Sequence, residues 1–244
     1  MKKINLLSIG LLTSSLLGGA VVNADTSITS TGRVSVKELT QVEPENPDPE
    51  GPGEIIEPPI TPPGENRFKV IHASNLEFGE VEATAKEQVV KAKTLAVTTS
   101  ESLDQVQRVP WVTTYDMRNA TERSDWKLEA STTPLEDGSG HVLRGAEITL
   151  SNLNYASGSE RAPQARAGKI TLGYSPQTLA TATAYSEENG TQDTGVGSWS
   201  LAMGYKNEDE TLTDGVELRI PSNIVINDGV EYTSTITWNL SVGP

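Results

Sequence analysis

Three of the four tryptophans stand two residues before a leucine: Trp126-Lys127-Leu128, Trp199-Ser200-Leu201 and Trp238-Asn239-Leu240. In an extended strand, residues i and i+2 project to the same face, about 7 Å apart. Each triplet therefore sends an indole and an isobutyl group one way, and Lys127, Ser200 or Asn239 the other. The last triplet sits in a longer alternation. Tyr232, Ser234, Ile236, Trp238, Leu240 and Val242 fall on one face, and Thr233, Thr235, Thr237, Asn239 and Ser241 on the other. Such a row has two uses: it fills the core of a sheet sandwich, or it offers indoles for stacking on sugar rings beside hydroxyls that bond to them. A mixed use, with buried indoles shaping a neighbouring surface, is also open.

Other reactive groups are scarce. Cysteine is absent, which excludes disulfides, thiolate metal sites and a cysteine nucleophile. His72 and His141 are the only imidazoles, too few for most zinc sites or hydrolase triads. There is no Gly-x-Ser-x-Gly elbow and no His-Glu-x-x-His. In the acidic loop from Asn207 to Leu212, leucine stands where a calcium loop requires glycine. Carboxylate pairs for glycoside hydrolysis form in space rather than in sequence, so a secreted wall hydrolase stays a minor alternative. The reading is therefore non-enzymatic, with no metal and no cofactor. A net charge of −14 argues against nucleic acid, whose phosphates need a basic surface.

The elements that must carry the triplets are strands. Strand-like runs recur at 67–72, 89–98, 106–115, 126–131, 142–150, 169–174, 178–185, 196–205, 215–220 and 230–242. Turn signals separate several of them: Glu136-Asp137-Gly138, Asn189-Gly190, Asp214-Gly215 and Asp228-Gly229. The best helical candidate, 80–92, is interrupted by β-branched residues. Residues 66–244 are thus expected to form an all-β unit, a single antiparallel β-sandwich or barrel-like domain. It holds 15 basic and 24 acidic residues, so acidity is not confined to the segment before it.

Upstream, residues 1–24 read as a secretory signal. Lys2 and Lys3 precede an apolar run, and Val22-Asn23-Ala24 is a small-residue cleavage site. No later stretch is apolar and long enough to span a bilayer. Residues 25–42 contain a β-like stretch at 28–36, which has the option of joining the domain's sheet. Residues 43–65 hold eight of the 14 prolines and seven carboxylates without a Lys or Arg, and read as an extended, solvated linker or a long loop.

The ending Tyr232-Thr-Ser-Thr-Ile-Thr237-Trp238-Asn-Leu240-Ser-Val-Gly-Pro244 resembles the proximal motif of WxL cell-wall surface proteins of Gram-positive bacteria, and Trp126 and Leu128 resemble their distal motif. Ile236 stands where that family usually has Leu. Ser74-Asn75-Leu76-Glu77-Phe78-Gly79 and Gly197-Ser198-Trp199-Ser200-Leu201 fit as well, and the similarity spans nearly the whole mature chain. The resemblance implies an extracellular protein held non-covalently on the wall, with peptidoglycan as ligand. Its partners would be WxL-interacting surface proteins and sometimes sortase-anchored proteins. It also implies a binding motif of Trp126, Leu128, Trp199, Leu201, Tyr232, Thr237, Trp238, Leu240 and Pro244. The alternative is a module that binds a partner protein, by strand addition for example, with the Trp-x-Leu residues serving as core.

Overall fold

The ten strand-like runs all contain strands in the computed structural model, which describes residues 33–34, 44–57, 66–102, 104–156 and 158–243. Residues 1–24, read as a signal, nearly all of 25–43, residues 58–65 of the linker or loop, and Pro244 lie outside these residues. No helix occurs among the described residues, and every strand pairing is antiparallel. The helical candidate at 80–92 instead runs into a strand from Gln88, where Val89 and Val90 favour the pleat.

Three four-stranded sheets make the body. One has the order β10 (Leu153–Asn154), β14 (Gly197–Met203), β6 (Trp111–Asp116) and β2 (Phe68–Ala73). A second runs β11 (Gln164–Ala165), β13 (Gln177–Ala182), β7 (Trp126–Thr132) and β17 (Ile236–Val242). The third runs β12 (Ile170–Thr171), β9 (Glu147–Leu150), β15 (Leu212–Ile220) and β3 (Gln88–Lys93). Two small sheets complete the fold: β1 (Ile56–Glu57), β4 (Leu95–Thr99) and β5 (Val106–Arg108), and the pair β16 (Tyr232–Thr233) with β8 (Glu136–Asp137). Their inner faces share one core that includes Trp126, Leu128, Leu150, Leu179, Leu201, Met203 and Val216.

Asp214-Gly215 is not a turn. It lies inside β15, where the register against β3 shifts between Leu212 and Glu217. A Cβ on Gly204 would stand 2.2 Å from the Gly215 nitrogen, so the two glycines let the backbones of β14 and β15 touch.

The described part of the acidic, proline-rich stretch, 44–57, belongs to the same compact unit as the sheets. Over 44–57 that stretch is docked rather than solvated. Asn46 and Asp48 are buried, and Ile56 pairs with Thr99. The Asn46 Oδ1 accepts from Trp111 Nε1 at 3.1 Å and from Thr113 Oγ1 at 2.6 Å, and Ser200 donates to the Pro47 carbonyl at 2.6 Å. Arg108 grips the Asp48 carboxylate through Nε (2.7 and 2.8 Å) and Nη2 (2.6 Å). Composition favours an extended chain here, but the partners that capture it lie far away in sequence. With this cover in place, every residue of β6 is buried on both faces.

Beneath the cover the His72 ring stacks on Trp111, with ring centres 4.4 Å apart. Burial lowers the His72 pKa from 6.5 to about 4. The unfolded chain then takes up a proton near pH 6.5, and the folded chain only near 4. The His72 contribution to stability is intact above pH 6.5 and is lost progressively as pH falls towards 4. Denaturant midpoints at pH 7 and pH 4.5 check this: His72→Phe should narrow the gap between the two relative to the unsubstituted chain.

Candidate functional site

The distal and proximal Trp-x-Leu elements are neighbours. β7 and β17 pair without a register break: Trp126 lies opposite Val242, Leu128 opposite Leu240, and Ala130 opposite Trp238. Directly opposed residues share a face. The two leucines therefore meet at the centre, and the two indoles flank them from opposite ends, each set against a smaller cross-strand neighbour. The row points inward. Trp126 is 2% exposed and Leu128 0%, whereas Trp238 and Leu240, on the edge strand, are half-buried. The polar residues between them, including Lys127, Glu129, Ser131, Thr237, Asn239 and Ser241, form the outward face, where Lys127 and Glu129 pair at 3.1 Å.

Trp126 is packed on several sides. Phe68 meets it edge to face, with ring centres 6.5 Å apart. Gly195, at φ +70°, lays its backbone on the indole, and a Cβ there would come within 2.5 Å of the ring. Among the described residues the Trp126 Nε1 has no hydrogen-bond partner, an unusual state for a buried indole.

Tyr232, which opens the proximal motif, is tied down by its hydroxyl. Asn227 N donates to it at 2.9 Å, and the hydroxyl lies 3.0 Å from His141 Nδ1. The opposing Asp137 carboxylate accepts from Ser139 N and Oγ, His141 N and Asn227 Nδ2. Those bonds, led by the Ser139 hydroxyl, hold Asp137 well below the usual carboxylate range. His141, to which the residues alone assign no role, thus fixes the tyrosine of the motif. Nothing in the sequence marks that contact, since 91 positions separate the partners.

The third triplet belongs to another sheet. Leu201 is buried opposite Val112, and Trp199 is half-buried beside Thr114. Trp199 donates its Nε1 hydrogen to the Val196 carbonyl at 2.9 Å and meets Tyr155 edge to face at 6.2 Å. These two rings border a cleft of about 150 Å³ whose other wall is the docked stretch, with Pro47, Asp48 and Pro52 lining it alongside Ser198. The Tyr155 hydroxyl is buried without a hydrogen-bond partner among the described residues, and burial pushes its pKa far up.

The nine motif residues accordingly do not form one surface. Trp126, Leu128, Tyr232, Thr237, Trp238 and Leu240 come together on the β7–β17 ladder and its β16 extension, with Thr237 on the outward side. Trp199 and Leu201 lie in the other sheet, and Pro244 is outside the described residues. The fourth tryptophan, Trp111, stands in no triplet, yet it anchors the docked segment.

A family model described as "WxL domain surface cell wall-binding" matches residues 23–244. No curated protein and no solved structure matches the chain.

Proposed function

Since the chain belongs to the WxL family of surface cell wall-binding domains, we propose that it attaches non-covalently to peptidoglycan in the wall of a Gram-positive bacterium, as a non-catalytic member of a surface protein complex. The observation that carries this reading is the family match across nearly the whole chain. In this proposal the core-facing Trp-x-Leu residues of β7 and β17 hold the domain together. Wall contact falls to groups with access to solvent, and Trp199 with Tyr155 at the cleft is the aromatic pair placed for stacking on a sugar ring. Export through residues 1–24 and partnership with WxL-interacting or sortase-anchored proteins belong to the same proposal.

Charge narrows the ligand. A chain of net charge −14 is repelled by anionic teichoic polymers, so peptidoglycan itself is the favoured wall component. Purified protein should be retained on protein-free walls at least as well after teichoic acid is stripped as before. Loss of retention on stripping would contradict the choice of peptidoglycan. Absence of retention until a second surface protein is added would favour the partner-binding alternative, in which the chain reaches the wall through another protein. Trp199→Ala, which leaves the β7–β17 ladder untouched, should reduce retention several-fold at a stability cost comparable to that of Trp238→Ala; full retention by this variant while folded would remove the cleft from the account.

A further inference from the structure

Among the described residues β17 is an edge strand, bonded to β7 on one side and to no strand on the other. The ladder is bracketed by Thr133 N–H donating to the Thr235 carbonyl and Gly243 N–H donating to the Asp125 carbonyl. Antiparallel pairs alternate, so 235, 237, 239, 241 and 243 turn their backbone groups towards β7. Ile236, Trp238, Leu240 and Val242 turn theirs away, and among the described residues these groups make no hydrogen bond.

Sheet edges are normally blunted by lysine, proline, bulges or brevity. The other edges of the four-stranded sheets are. β10, β11 and β12 are two residues long. β3 carries Lys91 and Lys93 and pairs with a register shift. β2 carries Lys69 and shifts register between Val70 and His72. β17 has seven residues, an unbroken register, and no charge or proline. Its apolar row is incompletely covered, and Val242 is 56% exposed. β2 also approaches β17, and its Phe68 closes on Trp126, which lies opposite Val242.

We propose that the free edge of β17 accepts an extended segment of a different polypeptide as an added strand, one with apolar side chains at alternate positions and Lys or Arg at its ends. The charges beside the edge set the occupant. Glu136, Asp228 and Glu231 stand near the start of β17. A second copy of β17 carries no basic residue to meet these carboxylates, whereas basic ends on another chain would meet them favourably. The proposal gives a location and a chemistry to the protein-partner reading and is independent of sugar binding.

The test uses the secreted chain and the synthetic peptide Lys-Thr-Ile-Thr-Val-Thr-Ile-Thr-Lys, with a Glu-ended version and one N-methylated at alternate amides. Amide hydrogen exchange is followed residue by residue, without wall material. The Lys-ended peptide should slow exchange at Trp238 and Leu240 by at least about tenfold, and leave Asn239, already in the ladder, little changed. It should bind about tenfold more tightly than the Glu-ended peptide at low salt, and N-methylation should abolish the effect. No slowing, or equal slowing by the N-methylated peptide, overturns the proposal. Slowing without peptide that grows with protein concentration would put a second copy on the edge and overturn it as well. Wall retention is measured separately, so either result stands if the other fails.

Discussion

Trp126→Ala is expected to lower the stability of the domain by about 4 kcal/mol, and Leu128→Ala by about 3 kcal/mol. Both side chains lie in the shared core, and neither site can collapse easily. Phe68 and the Gly195 backbone close on the indole, while Leu240 faces Leu128 across the ladder. Trp238→Ala should cost about half as much as Trp126→Ala, because its strand is an edge and the indole already meets solvent. Trp126→Phe should be much milder than alanine. It keeps most of the apolar volume and removes an indole N–H that has no partner, and an unpartnered buried donor carries a desolvation cost of about 1–3 kcal/mol. Denaturant unfolding of the four variants gives this order directly. Equal, small losses would mean that the motif residues are not core.

Arg108→Ala is the second large effect, and it acts through the other side chain. The Asp48 side chain is 0% exposed; Arg108 makes three short contacts with it and is its only ion-pair partner among the described residues, while the Glu50 N–H donates to it at 2.8 Å. The same contact raises the Arg108 pKa. Removing the guanidinium leaves a buried carboxylate uncompensated, which typically costs about 3–5 kcal/mol. Part of that strain should be relieved by release of residues 44–57, which would expose Trp111 and the outer face of β6. The paired change Asp48→Asn with Arg108→Met should cost much less, since it buries no charge. Proteolysis within 44–57 of the folded protein reads the release. Resistance of Arg108→Ala equal to that of the parent would show that the ion pair is not what holds the segment.

Much of the sheet framework is legible from the residues. Period-two alternation around Trp126, Trp199 and Trp238 places strands there but leaves open whether the Trp-x-Leu face meets a core or a surface; burial in the fold turns Trp126, Leu128 and Leu201 inward. What alternation lacks is registry between strands. That Leu128 meets Leu240, and that Ala130 leaves room opposite Trp238, depends on partners more than a hundred residues away. The docked 44–57 stretch is hidden for a related reason. Its prolines and carboxylates describe an isolated chain, whereas its conformation is decided by Arg108, Trp111 and Ser200. Asp214-Gly215 reads as a turn because local sequence does not reveal that Gly204 lies against it. The short strands β1, β8, β10 and β11 carry too few residues for any periodicity to register.

The central claim is that the β7–β17 motif builds the domain and does not itself touch the wall. One comparison tests it most directly: retention of Trp126→Phe on protein-free, teichoic-stripped peptidoglycan, measured where near-ultraviolet circular dichroism shows the variant folded. The account predicts retention equal to that of the unsubstituted protein. A folded Trp126→Phe that no longer binds peptidoglycan would contradict it.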